Sequence, residues 1–278
     1  MASRLIRYRC RRTLRIIVGW TALTETRTRL KILISNDDGY LAEGLAVLHR
    51  RLAPFGDIDV VAPDRNQSGA SSSLTLHSPL RVANPAQNVW SVNGTPSDCV
   101  HLALAGFLAE DPDIVVSGIK HGANLGDDVI YSGTVAAAIE GRHLGLPALA
   151  VSLAGDTLDH FATAAEVTAR VLKQLLNRPL PADLMLNINV PDIPLADLQG
   201  VQATRLGFRH RAEPLVRQTD PRGRDIYWIG PAGPEQDAGP GTDFHAVANG
   251  YASVTPLQID LTRHHQLQDM RDWLEALR

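Results

Sequence analysis

Adjacent carboxylates raise the first chemical question of this chain. In "SNDDGY", Asp37 and Asp38 come straight after the apolar run "LKILIS". Two neighbouring carboxylates repel each other unless a cation lies beside them. Oxygen donors without Cys or His partners suit a hard ion such as Mg2+ or Mn2+. Equally, Asn36 and the two Asp can form Asx turns and cap the next helix. A second cluster, "NQSGASSS" (66–73), offers the Ser68 hydroxyl as a ligand and, around Gly69, backbone N–H groups as an anion nest. A plain polar turn is the alternative there.

The stretch "DIVVSGIKHGANLGDDVIYSGT" (113–134) adds more. Asn124, flanked by Gly122 and Gly126, can donate to a phosphoryl oxygen or ligate a metal. Ser132, Gly133 and Thr134 stand where a helix begins, and a helix start presents free N–H groups and the positive dipole end to an anion. Alternatively Ser132 or Thr134 is simply an N-cap. Asp127 and Asp128 either face solvent or hold the loop. Taken together, two carboxylates, hydroxyls and a helix N-terminus suit phosphoryl transfer to water. No Ser-His-Asp order, Walker motif or Gly-x-Gly-x-x-Gly loop competes with that reading.

The elements that must position these groups alternate. Apolar runs at 30–35, 57–63, 88–94, 113–118, 147–153 and 184–191 read as strands. Between them, helical spacing is found at 43–56, 96–110, 132–145 and 160–177. This pattern predicts an α/β fold with a doubly wound, mostly parallel sheet. Ligands of such sheets bind at the carboxyl ends of the strands, which is where all three polar clusters fall. Beyond Leu195 the texture turns rich in Gly and Pro. Short strands "DIYWIG" and "YASVTP" suggest hairpins and long loops, and 263–278 forms a last amphipathic segment.

The chain has 278 residues, 44% of them hydrophobic, enough for a substantial core. Its net charge of −3 disfavours a nucleic-acid duplex as partner. That total conceals an uneven split. The first thirty residues hold eight Arg and one Glu, and the rest therefore carries −10. Residues 1–29 read as an Arg-rich extension outside the core. No apolar run reaches the roughly 20 residues of a membrane span, and no export signal is evident, so a cytoplasmic location is expected. Cys10 and Cys99 alone cannot build a disulfide framework or a Cys-based zinc site.

"KILISNDDGY", "VVAPDRNQSGASSSLTL", "NGTPSDCV", "PDIVVSGIKHGANLGDDVIYSGTVAAAIEGRHLG", "LNINVP" and the "PRGRDIYWIGPAG" to "GYASVTPL" region occur in order from about Leu30 onward. In these motifs the chain closely resembles the SurE family. The resemblance implies a Rossmann-like core, here residues 30–194. It also implies a C-terminal arm and terminal helix, residues 195–278, that reach another subunit in a homodimer or homotetramer. The implied activity is that of a metal-dependent 5'-nucleotidase acting on nucleoside 5'- and 3'-monophosphates, with exopolyphosphatase activity in some members. One divalent ion, Mg2+ or Mn2+, is implied, with ligands corresponding to Asp37, Asp38 and Ser68. The other implied active-site groups correspond to Asn124, Ser132 and Thr134.

One position departs from the family pattern. Where a metal-ligating Asn is usual, this chain has Lys120. An ammonium has no lone pair and cannot ligate. At 4 Å from a divalent ion it would be repelled by roughly 8 kcal/mol at an effective dielectric near 20. Three readings follow. Lys120 swings out to bind phosphate, or it replaces the metal beside Asp37 and Asp38, or it is a sequence variant. The second would leave a nucleotide- or phosphate-binding protein with an impaired metal site.

Overall fold

The structure is a computed structural model describing residues 29–210, 212–275 and 277. The Arg-rich extension expected over 1–29 lies outside the described residues, apart from Arg29. Beginning at Leu30, strand β1 (Leu30–Ser35) leads through helix α1 (Glu43–Leu52) to β2 (Gly56–Pro63). Next come β3 (Val82–Ala86), β4 (Val89–Val92) and helix α2 (Pro96–Leu102). The centre of the chain forms β5 (Ile114–His121), α3 (Gly133–Glu140), β6 (Ala148–Ala154), α4 (Phe161–Asn177) and β7 (Met185–Pro191).

One nine-stranded sheet has the order β3-β4-β2-β1-β5-β6-β7, extended at the β7 side by β13 (Tyr251–Leu257) and β8 (Gly200–Ala203). The strands pair in parallel except β3 with β4 and β13 with β7. The α/β, mostly parallel expectation therefore holds. From β1 the chain first winds outward through β2 and β4. It then returns to β5 on the other side of β1 and winds outward again through β6 and β7. The crevice between β1 and β5 is thus the topological switch point, the usual ligand position in such sheets.

Both faces of the sheet are covered, which explains why its central strands are continuous apolar runs. Ile32, Ile34, Val116 and Val151 face a layer containing Leu45 and Leu48 of α1 and Leu172 of α4. Leu33, Val115 and Ala150 face Cys99 of α2 and Val135 and Ala137 of α3. Each fully buried Leu or Ile contributes about 1.5–3 kcal/mol.

Helix ends follow their local chemistry. At α2, Thr95 accepts from Asp98 N, and the Asp98 carboxylate accepts from Thr95 N, with Pro96 in the first turn. The helix expected over 96–110 is α-helical only to Leu102. A wider turn follows over Ala103–Phe107, where Gly106 adopts φ 106°. The strand expected over 113–118 continues to His121, so Lys120 lies on β5 and not in a loop.

Beyond β8 the chain leaves the sheet. Strand β9 (Phe208–Arg209) pairs with β12 (Glu235–Asp237), and between them β10 (Val216–Thr219) and β11 (Asp225–Trp228) form a hairpin. Helix α5 (Asp243–Ala248) precedes β13, and helix α6 (Leu267–Glu275) follows it. Every residue of β10 and β11 is exposed.

Candidate active site at the sheet switch point

The carboxyl end of β1 turns sharply. Asn36 Nδ2 donates to Gly39 O at 2.9 Å, while Gly39 N donates to Asn36 Oδ1 at 3.2 Å. The Asx-turn reading is thus realised by Asn36, and this turn leaves the two Asp side chains for other partners. Asp37 is fully buried. Its Oδ1 accepts from Thr134 Oγ1 at 2.6 Å, and its Oδ2 accepts from Lys120 Nζ at 2.9 Å. Asp38 Oδ2 accepts from His121 N at 2.9 Å, and Asp38 Oδ1 has no hydrogen-bond partner among the described residues. Burial, and next the neighbouring charge of Asp37, push the Asp38 carboxyl above its ordinary pKa.

Lys120 reaches Asp37 because β5 carries an extra residue. Between Ser117, opposite Ala150, and Lys120, opposite Ser152, β5 has two residues where β6 has one. Such a bulge reverses the alternation of side chains beyond it. Val116 and Ile119 therefore both face the layer of α1 and α4, although one is even-numbered and the other odd. Regular alternation would have sent Lys120 into that apolar layer. The bulge sends it instead toward α3 and Asp37. Gly118 makes this possible: its φ is +141°, and an added Cβ would lie 2.4 Å from Val151 O.

The second cluster folds over the first. Gln67 N donates to Asp37 O at 2.7 Å, and Ser68 Oγ accepts from Lys120 Nζ at 3.2 Å. Gly69 adopts φ 79°, with open space where a Cβ would stand. Ser71 ties this loop to the third cluster, its N and Oγ donating to Tyr131 O and Ile130 O.

Helix α3 starts against Asp37. A Cβ on Gly133 would lie 2.8 Å from Asp37 Cβ, so only glycine permits this approach. Ser132 is the N-cap, its Oγ accepting from Val135 N at 3.1 Å. No acceptor among the described residues takes the N–H groups of Gly133 and Thr134. The N-cap alternative thus describes Ser132, while Thr134 is a direct partner of Asp37.

Asn124 is pinned from several sides, through Ser152, the residue paired with Lys120 across β5 and β6. Its Nδ2 donates to Ser152 Oγ at 2.8 Å, and its N donates to Asn189 Oδ1 at 2.8 Å. Its carbonyl accepts from Asn187 Nδ2 and Asn189 Nδ2 at 2.9 and 3.0 Å. The two strand asparagines have no role in the sequence reading. Their signal was polarity inside the otherwise apolar run "MLNINVP" of β7, all of it buried.

Asp127 and Asp128 hold the loop. Arg209 N donates to Asp127 Oδ1 at 3.1 Å, and Arg209 Nε lies 2.9 Å from Asp128 Oδ2. A further clamp, missed in the sequence, is Asp243. Fully buried, it accepts from Gly126 N at 2.7 Å and Gly207 N at 2.9 Å. Its position after Thr242, a helix N-cap, makes it look in sequence like an ordinary first-turn acid.

The family resemblance implies a divalent ion at the oxygens of Asp37, Asp38 and Ser68. Hard divalent ions sit about 2.0–2.6 Å from their oxygen ligands. An ion bridging Asp37 Oδ2 and Ser68 Oγ would therefore compete for the point held by Lys120 Nζ. With Lys120 turned inward, the residues present do not fit the ion.

The family described as Survival protein SurE matches residues 32–213. A 5'-nucleotidase SurE of Halorhodospira halophila is 61% identical over 247 residues, covering 88% of this chain and 98% of its own. That of Methylococcus capsulatus is 60% identical over 245 residues, again covering 88% and 98%. The crystal structure of the SurE protein from Aquifex aeolicus aligns with a TM-score of 0.78 at 42% identity, over 88% of this chain and 99% of that one. Similar in sequence and in fold over most of its length, the chain belongs to the SurE family.

Proposed function

We propose that the chain is a 5'-nucleotidase, hydrolysing nucleoside 5'-monophosphates to nucleoside and inorganic phosphate. One observation carries the reading most directly. Asp37, Asp38, Ser68, Lys120 and Thr134 converge at the β1/β5 switch point, beside a helix start whose first N–H groups are free. In the reaction a water oxygen forms a new P–O bond as the bond from phosphorus to the 5' oxygen breaks. The water's proton leaves to a base, and the leaving oxygen gains one. Asp38, with Oδ1 free, is the group suited to take that proton. The N–H groups of Gly133 and Thr134, with the open backbone at Gly69, suit the phosphoryl oxygens. Ser132 shapes the cradle as its cap, and Asn124 acts by fixing the loop that carries it.

The divalent requirement implied by the resemblance is the part that this chain's residues do not fit, so no step is routed through an ion. The inward Lys120 favours a second reading, a phosphate-binding protein with little turnover. Phosphate release from a panel of nucleoside 5'-monophosphates, in EDTA and in Mn2+, decides between them. The expected result is release that falls roughly 100-fold or more in Asp38→Asn. No release by the native chain in either condition would overturn the enzyme reading.

The exposed hairpin of β10 and β11 and the amphipathic α6 support assembly into a homodimer or homotetramer through the region after Leu195. A two-stranded hairpin is marginal in water without a partner surface. Among the described residues no helix is long and apolar enough to cross a membrane, and we place the chain in the cytoplasm.

A further inference from the structure

A lysine that merely happened to lie near an active site would extend into solvent. Lys120 does the opposite. Its side chain is only 12% exposed, and its ammonium contacts both the fully buried Asp37 and the Ser68 hydroxyl. The backbone is shaped to put it there, through a bulge whose geometry requires glycine at Gly118. An ammonium has three N–H donors. Asp37 and Ser68 take two, and Nζ has no third protein partner among the described residues. The donor left over belongs to a group that shares the Asp37 carboxylate with Thr134, at the start of α3.

We propose that Lys120 is the resident cation of this site: its ammonium stands where a divalent ion would stand, excludes that ion, and presents its third N–H to a phosphoryl oxygen. The phosphoryl part rests on the nucleotidase reading. The exclusion of metal does not, and it is measurable without turnover. Lysine serves as a point charge for phosphate, whereas a divalent ion and a like-charged ammonium cannot share one pair of oxygens.

The experiment is a Mn2+ titration of the full chain followed by the electron paramagnetic resonance signal of free Mn2+, with the Lys120→Asn variant alongside. The native chain is expected to leave Mn2+ free. Lys120→Asn is expected to take up one ion per chain about 100-fold more tightly or better, because the competing charge is gone. Its melting temperature rises with added Mn2+, while that of the native chain does not. In EDTA, inorganic phosphate observed by phosphorus NMR is broadened by the native chain and about tenfold less by Lys120→Met, which keeps the stem but loses the charge. Uptake of one Mn2+ by the native chain within tenfold of the variant would overturn the proposal. So would equal phosphate broadening by native chain and Lys120→Met. If neither chain releases phosphate from any nucleoside monophosphate while metal and phosphate behave as expected, the nucleotidase reading fails and the resident cation stands.

Discussion

Thr134 donates to Asp37 Oδ1 at 2.6 Å in a fully buried setting, so its hydroxyl holds the carboxylate that in turn holds Lys120. Hydrogen bonds to charged groups contribute about 1.5–3 kcal/mol. Thr134→Val, close in volume, is expected to lose that amount in urea unfolding and to lower phosphate release by roughly tenfold or more. Asp37 and Asp38 are legible in the sequence because they stand directly beyond an apolar run, Thr134 because it stands at a helix start, and Ser68 because it lies in a polar cluster after a strand. The direction of Lys120 is not. Simple alternation from Val116 points it to the wrong face, and the bulge that corrects this depends on pairing with β6, which local sequence does not contain. Asn124 reads as a phosphoryl donor or a metal ligand; its Nδ2 donates to Ser152, while no partner among the described residues takes its Oδ1.

At the next scale, Asp192 follows β7 and closes the loop that enters α4. Burial alone would raise its carboxyl. Hydrogen bonds from Thr157, His160 N, Asp159 N and the His160 ring outweigh that and hold it at about 2. A carboxylate whose folded pKa is depressed contributes stability above its unfolded value, and the contribution is lost as pH falls through the folded value. Set against an ordinary pKa near 3.9, the shift corresponds to roughly 2.5 kcal/mol. Asp192→Asn is expected to be less stable than the native chain by about that much at neutral pH, the gap closing between about pH 4 and pH 2. Equal stabilities at neutral pH in denaturant titrations would contradict this. Elements with a long apolar run, such as β1, β5 and β6, are readable from sequence, and so is the strongly amphipathic α4. Strands β8, β9 and β12 are two to four residues long, with partly exposed or unalternating patterns, and only their distant partners define them.

Across the whole molecule, apolar surface is left exposed on the last helix and at the hairpin. Leu267, Met270, Trp273 and Leu274 of α6 are all exposed, at spacings that share one helical face. Tyr227, Trp228 and Ile229 at the hairpin are exposed as well. Assembly through these surfaces predicts that Leu274→Asp lowers the mass measured by light scattering while circular dichroism of the fold stays unchanged. An unaltered mass would count against α6 as part of the interface. The layout of the main sheet has a different consequence, which concerns synthesis. Strand β13, made late, lies between β7 and β8 and pairs along both. The carboxylate of Asp243, on the helix before it, holds Gly126 of the loop between β5 and α3. A chain still emerging from the ribosome therefore carries the candidate site residues long before it has the clamp and the seal. Until residue 257 is free to pair, β7 offers an open edge to its neighbours, and such edges invite aggregation. Completing the last strand is thus the step that closes this edge and brings in the carboxylate holding Gly126.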